Sequence, residues 1–199
     1  MMSIRVFSCV LLLVTVIFAP VNPLPTVRSY LIKGRFQLMR SLEFAIFDAA
    51  GVKQQYRIES QFGTMENPKV VAYPSKEIVA TLQEKFVNLM YNGIISILDP
   101  TSDEWISGKI YHKFLDDIFI EWNGHRVRIL RKKGDDRSLF FRDEINGTIL
   151  ANSEKKSKFK YFSIKYDVKV FSDELPDAIY FLGIAVANEI AKRQSSRGK

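Results

Sequence analysis

An apolar segment near the C-terminus reads Ala178-Ile179-Tyr180-Phe181-Leu182-Gly183-Ile184-Ala185-Val186-Ala187. A helix on a protein surface has a polar face that recurs with a period of about 3.6 residues, and this segment has none. Asp177 and Asn188 bound it, so it is much shorter than the ~20 apolar residues of a membrane-spanning helix. We therefore expect a helix that protein surrounds on every side.

The chain before this helix has the alternation of polar and apolar residues that is typical of β-strands. Twelve segments are predicted as strands: 30–38, 43–47, 53–60, 69–73, 77–85, 93–98, 105–113, 118–122, 125–131, 138–142, 148–152 and 158–171, the last as one long strand or two short ones. Segment 76–91 also has apolar residues at every fourth position, as in a helix, but β-branched residues favour a strand for its first half. The predicted fold is mainly β: a closed antiparallel barrel of about twelve strands around a central, hydrophobic C-terminal helix.

Local sequence signals predict one hairpin turn and the start of the helix. Asn123-Gly124 is the strongest hairpin-turn signal in the chain. The helix is predicted to begin near Asp173 or Asp177, because either carboxylate can accept hydrogen bonds from the amides of a first turn. Pro176 fits a first turn, since its missing N–H would have no partner there.

The length of 199 residues and the apolar content of 47% fit one folded domain. We assign it to residues 30–194, after a leader at 1–19 and a Pro-containing linker at 20–29, and before a basic tail at 195–199. The leader has Arg5 followed by an apolar run over 6–18, which is typical of a secretory signal peptide or an uncleaved signal anchor. We therefore expect a secreted protein or one anchored to a membrane by the leader.

The sequence offers few groups for covalent or redox chemistry. Cys9 is the only cysteine and lies in the leader, so the domain has no disulfide, thiol nucleophile or thiolate metal site. No Gly-rich phosphate loop or nucleophile elbow is present, and we expect neither an enzyme nor a cofactor. Asn146-Gly147-Thr148 is a glycosylation sequon, and its Asn-Gly pair is equally a turn signal.

The net charge of +7 and the isoelectric point near 9.4 indicate either anionic partners or simply a solvated surface. The best binding candidate is a basic hairpin. Arg126 and Arg128 project from one face of a strand, and Arg131, Lys132 and Lys133 continue towards the turn.

A second basic cluster comprises Lys155, Lys156, Lys158 and Lys160. Either cluster can instead serve to protect a strand edge from mispairing. We expect an anionic lipid or membrane surface as the partner, or alternatively a protein, but no nucleic acid, and we expect a monomer.

The sequence also allows two possible metal sites. His112 and His125 could join Asp116 or Asp117, but no spacing selects such a site, and ordinary surface or core histidines are the favoured interpretation. Three acidic residues before the helix, at 173, 174 and 177, could supply oxygen ligands for calcium or could cap the helix. The alternating acidic pattern of a calcium loop is absent, which favours capping.

The order of these elements resembles the LURP-one-like proteins of the tubby C-terminal and phospholipid scramblase superfamily. The matching stretches are Glu43-Phe44-Ala45-Ile46-Phe47-Asp48-Ala49-Ala50-Gly51, Tyr56-Arg57-Ile58-Glu59-Ser60, segment 70–85, and Tyr166-Asp167-Val168-Lys169-Val170 before the apolar helix. Together they extend over positions 30–193, and their order and spacing carry the resemblance.

The resemblance implies a twelve-stranded barrel threaded by its C-terminal helix. Tubby-like members bind phosphoinositide head groups through basic residues on the barrel, and scramblase-like members are tied to membranes and calcium. Members of this superfamily are typically intracellular, whereas this chain has a predicted secretory leader. From the resemblance we expect a non-enzymatic binding module that engages anionic lipid through a basic face. The alternative is a secreted protein-interaction or structural module without lipid selectivity.

Overall fold

The computed structural model describes residues 24–37, 40–61, 66–87, 90–113, 117–132, 135–156 and 163–197. Twelve strands precede one long helix in the chain. The strands are β1 (Arg28–Gln37), β2 (Arg40–Asp48), β3 (Gln54–Gln61), β4 (Glu66–Ala72), β5 (Ile78–Val87), β6 (Met90–Leu98), β7 (Trp105–His112), β8 (Ile118–Trp122), β9 (His125–Lys132), β10 (Asp135–Asp143), β11 (Ile149–Lys155) and β12 (Ser163–Val170). The helix, α1, comprises Asp177–Arg197.

The strands form a closed barrel in which each strand pairs with its neighbours in the chain and β12 pairs with β1. Every pairing is antiparallel, and Tyr30 of β1 lies opposite both Asp48 of β2 and Val168 of β12. The prediction of a closed, mainly β barrel of about twelve strands is therefore confirmed. β1 begins at Arg28, inside the predicted linker, because Arg28 pairs with Val170.

Helix α1 fills the barrel. Phe181, Leu182 and Val186 are at most 1% exposed, and they pack with the inward side chains of the strands in one apolar core. The sequence lacked a polar face in this segment because the sheet surrounds it on all sides. Of the two predicted starting points, the helix begins at Asp177, and Pro176 accepts a hydrogen bond from Ile179 N–H at 3.0 Å.

Two local predictions can be compared with the structure directly. Asn123 and Gly124 have φ values of 44° and 79°, as a tight turn between antiparallel strands requires, so the predicted hairpin turn is confirmed. From residue 78 onward, the described part of segment 76–91 is extended, within β5 and β6, and residues 76–77 belong to the turn before β5. Its four-residue apolar recurrence was misleading, since alternate residues such as Ala80 and Leu82 point inward, as in a strand.

The two ends of the barrel differ in structure. At the helix-start end, six connections between strands or between β12 and α1 come together, and α1 enters the barrel there. These connections comprise residues 49–53, 73–77, 99–104, 123–124, 144–148 and 171–176. Residues 24–27, before β1, lie at the same end, and Val27 N–H donates a hydrogen bond to Val170 O.

Candidate functional site

The arginines of the predicted basic hairpin lie on β9. Arg126 and Arg128 point outward from the barrel, and they alternate with Val127 and Ile129, which are each 1% exposed and point inward. The two arginines therefore share the outer face of one strand, as their spacing predicts. Their side chains are 40% and 34% exposed, so both are half-buried rather than extended into solvent.

These arginines surround an outward-facing aromatic ring. Phe119 of β8 lies directly opposite Arg128, and it is only 6% exposed although it is on the outer surface. Its ring centroid is 5.1 Å from Cζ of Arg126, 5.7 Å from Cζ of Arg128 and 5.2 Å from Nζ of Lys113. The ring of Tyr111 stacks on it at 5.6 Å. We call Tyr111, Lys113, Phe119, Arg126 and Arg128 the Phe119 patch. The three cationic groups of this patch lie at cation–π distances from the Phe119 ring.

Carboxylates from neighbouring strands hold the two arginines in place. Nη2 of Arg128 lies 2.5 Å from Oδ2 of Asp117, and its Nη1 lies 3.6 Å from Oε1 of Glu144. The hydrogen bond that Arg128 donates to Asp117 is the main reason that the pKa of Arg128 is raised above its ordinary value. Nε of Arg126 is 3.7 Å from Oε1 of Glu121. These ion pairs orient the guanidinium groups and also reduce their net charge.

With two further cations nearby, the cationic groups outnumber these carboxylates. Lys109 of β7 is exposed, and Arg142 of β10 lies directly opposite Arg128. Two like charges directly opposite each other in a sheet repel. An anion bound beside Arg128 and Arg142 would relieve this repulsion.

The other residues of the two predicted clusters do not all join this surface. Arg131 points to the opposite side of β9, into the barrel, and its Nη2 donates a hydrogen bond to Ala187 O at 3.1 Å. The prediction that placed it with Arg126 and Arg128 overlooked its odd spacing, which reverses the side of the strand. The side chain of Lys132 and all of Lys133 lie outside the described residues.

The second basic cluster is also divided. Lys155 lines a cleft of about 340 Å³ with Arg131, between α1 and the barrel wall. Lys156 forms an ion pair with Asp167. Lys158 and Lys160 lie outside the described residues.

The acidic residues before the helix have different roles. Asp177 accepts hydrogen bonds from Nε of Arg28 at 2.9 Å and from the Tyr30 hydroxyl at 2.5 Å, so it connects α1 to β1. Asp173 and Glu174 are exposed and line a pocket of about 420 Å³ at the helix-start end, which we call the mouth pocket. These three acidic residues do not form a three-ligand cluster.

The histidines are separated, and the structure gives one of them unpredicted neighbours. Asp117 is engaged by Arg128, and Asp116 lies outside the described residues, so the predicted combinations with His112 or His125 are not formed in the described part of the chain. His125 instead lies near Asp143 and Glu174, with ligand atoms all within 4.8 Å of one another. A sequence signal existed: His125 and Asp143 both adjoin turns, and adjacent strands carry them.

The predicted glycosylation site lies in an exposed turn. Asn146 is exposed, and its Oδ1 accepts a hydrogen bond from Thr148 N–H at 2.8 Å. The side chain therefore contributes to the turn, as the alternative interpretation of the Asn-Gly pair requires. Glycosylation stays a prediction.

The comparisons with known proteins found no match. No protein-family model matches this chain, and neither the curated proteins nor the solved structures contain a match. Among the described residues, no helix combines the length and the apolar character needed to cross a membrane.

Proposed function

We propose that this protein is a non-enzymatic binding module of the LURP-one and tubby type that engages anionic lipid head groups at a membrane surface. The architecture supports the family part of the proposal, since a closed barrel of twelve strands around a C-terminal helix is what the resemblance implies. The Phe119 patch supports the binding part. The proposal assigns no catalytic step to the protein.

The observation that carries the proposal is the arrangement of three cations around one outward ring. Asp117 and Phe119 hold Arg128 from two sides, so little side-chain entropy remains to be lost when it contacts a phosphate. Arginine can bind a phosphate through two parallel hydrogen bonds. Each basic residue near an anionic membrane contributes roughly 1 kcal/mol, so a patch of this size gives weak, salt-sensitive binding.

Co-sedimentation of the full chain with vesicles tests this proposal. We expect more protein to sediment with vesicles that contain phosphatidylserine or a phosphoinositide than with neutral phosphatidylcholine vesicles, and the difference to shrink as salt is raised. The predicted apolar leader would bind both kinds of vesicle, so the difference between them is the relevant quantity. The double variant Arg126→Gln with Arg128→Gln should lose about thirtyfold in affinity for anionic vesicles, from about 1 kcal/mol for each residue.

A matched control removes the same charge from the other side of the barrel. Arg57 of β3 is also a half-buried, ion-paired arginine, and Lys69 lies on the adjacent β4. Arg57→Gln with Lys69→Gln should bind anionic vesicles as the unaltered protein does, because β3 lies across the barrel from β9. Equal losses in both double variants, or no preference for anionic vesicles at low salt, would refute binding through the Phe119 patch.

A second candidate function is protein interaction, and exposed apolar side chains favour it. Ile94 of β6 and Trp105 of β7 are 52% and 49% exposed on the outer surface, and Met90 of β6 is 40% exposed. A protein partner that covers these side chains would bind without lipid and would be unaffected by the arginine variants. Pull-down with Ile94→Ser and Trp105→Ser variants separates this function from lipid binding.

The cellular location stays a prediction. The leader at residues 1–19 lies outside the described residues, so secretion and membrane anchoring depend on its sequence alone. The intact mass and the glycosidase sensitivity of the protein made in cells would show whether the leader is removed and whether Asn146 reaches the lumen.

A further inference from the structure

Three side chains with metal-binding atoms come together at the helix-start end of the barrel, next to the Phe119 patch. They are His125 at the start of β9, Asp143 at the end of β10 and Glu174 in the connection to α1. One ligand atom from each lies within 4.8 Å of the other two. An ion at the centre of such a triangle would be at most about 2.8 Å from each atom, so each ligand atom would have to move inward by about 0.6–0.8 Å to reach the zinc distances of about 2.0–2.2 Å.

The carboxylate of Asp143 is held in a fixed orientation. Asp143 is only 3% exposed, and its Oδ1 accepts hydrogen bonds from the N–H groups of Ile145 at 2.7 Å and Asn146 at 3.0 Å. These bonds engage one oxygen, and no further hydrogen bond to the other is found in the described part of the chain. A buried carboxylate that is oriented in this way is a pre-oriented ligand for a cation.

The charges at this position also require a cation. Two carboxylates within 4.8 Å repel each other, and burial of Asp143 strengthens the repulsion because the surroundings screen it poorly. Within the described ranges, no lysine or arginine forms an ion pair with Asp143 or Glu174. Within the cluster His125 is the group that could compensate, and a bound metal ion would compensate more completely.

Tyr180 is an independent sign of an incomplete polar environment beside these groups. Its side chain is fully buried, and its hydroxyl has no hydrogen-bond partner among the described residues. Burial raises the pKa of Tyr180, and the carboxylates of Asp177 and Glu174 raise it further. A water molecule bound to an ion could accept its proton in a hydrogen bond.

We propose that His125, Asp143 and Glu174 bind one divalent metal ion of the zinc class, which ties together three connections at the mouth of the barrel. The imidazole selects a borderline ion such as Zn²⁺ over Ca²⁺, which prefers oxygen ligands alone. Glu174 also lines the mouth pocket, so the remaining coordination positions face a space that water or a small anionic ligand can reach. This site shares no residue with the Phe119 patch, so the two proposals can be tested separately.

The full chain, stripped with a chelator, provides the test. Titration with Zn²⁺ against a chromophoric chelator should give one ion per chain, and the melting temperature should rise with Zn²⁺ concentration. His125→Gln and Glu174→Gln should each weaken zinc binding more than about tenfold and abolish the rise. Asp143 is left unchanged because its carboxylate also holds the turn.

Two matched controls make the result specific. His112→Gln removes the other histidine, and Glu154→Gln removes an exposed carboxylate near the opposite end of the barrel, so both should bind zinc as the unaltered protein does. Absence of saturable zinc binding would overturn the proposal, as would equal losses in His112→Gln and His125→Gln. Saturable calcium binding that His125→Gln does not change would overturn the role of the imidazole.

Discussion

Replacement of Gly183 by alanine tests the close packing between α1 and the barrel wall. A Cβ atom at this position would lie 2.6 Å from Cε1 of Phe141 and 2.8 Å from Cδ1 of Ile129. Gly183, Phe141 and Ile129 are all in the core, where side chains have little room to move. Ordinary contact begins near 3.4 Å, so the Phe141 ring would have to retreat by about 0.8 Å.

Two effects of opposite sign determine the result. In a helix without such contacts, glycine to alanine stabilises by about 1 kcal/mol. Forced overpacking of a core costs about 1–3 kcal/mol. We therefore expect Gly183→Ala to lower the free energy of unfolding by about 1 kcal/mol, as measured by urea titration with the fluorescence of the buried Trp122.

A double variant identifies the cause of this loss. Phe141→Leu removes the ring atoms that the new methyl group would meet, so the combined loss should be at least about 0.5 kcal/mol smaller than the sum of the single losses. Phe44→Leu, another fully buried phenylalanine on a different strand, should combine additively with Gly183→Ala. An increase in stability for Gly183→Ala, or strict additivity with Phe141→Leu, would refute the packing argument.

Two further predictions concern polar groups that anchor the helix. Asp177→Asn should lower the free energy of unfolding by about 1–3 kcal/mol, because the half-buried Arg28 loses its charged partner, whereas Asp173→Asn at an exposed position should change it little; urea titration of both variants decides. Burial raises the pKa of Tyr166 to about 12, so its protonated form is favoured in the folded state and its contribution is complete below pH ~10 and lost as the pH rises towards ~12. At pH 11 the free energy of unfolding is therefore lower by about 1.4 kcal/mol from Tyr166 alone. Absorbance at 295 nm follows ionisation of the tyrosines. If all of them ionise near pH 10 and the free energy of unfolding does not fall, the prediction is wrong.

The sequence predicted the barrel because the information for it is local. Alternation of polar and apolar residues marks each strand, and Asn123-Gly124 specifies its turn by backbone conformation alone. The long apolar segment had to be surrounded by protein. A closed sheet is the natural way for about twelve strands to surround it. These arguments need no knowledge of which strand neighbours which.

The candidate binding site was only partly predictable. The spacing of Arg126 and Arg128 placed them on one face, and the same rule, applied to Arg131, would have placed it inside the barrel. Their partners could not be predicted, because Asp117 and Glu144 come from other parts of the sheet, and the register between strands brings them close. The interpretation of β9 as a row of free cations therefore changed to one of arginines held by carboxylates.

The amino-acid sequence by itself determined the twelve strands, the principal turn and the burial of the C-terminal helix, because backbone preference and hydrophobic periodicity act over a few residues. Only the tertiary structure decided that His125, Asp143 and Glu174 meet at one end of the barrel. They are 18 and 31 positions apart in the chain, and closure of the sheet, together with the return of the chain into the barrel as α1, brings them within reach of one another.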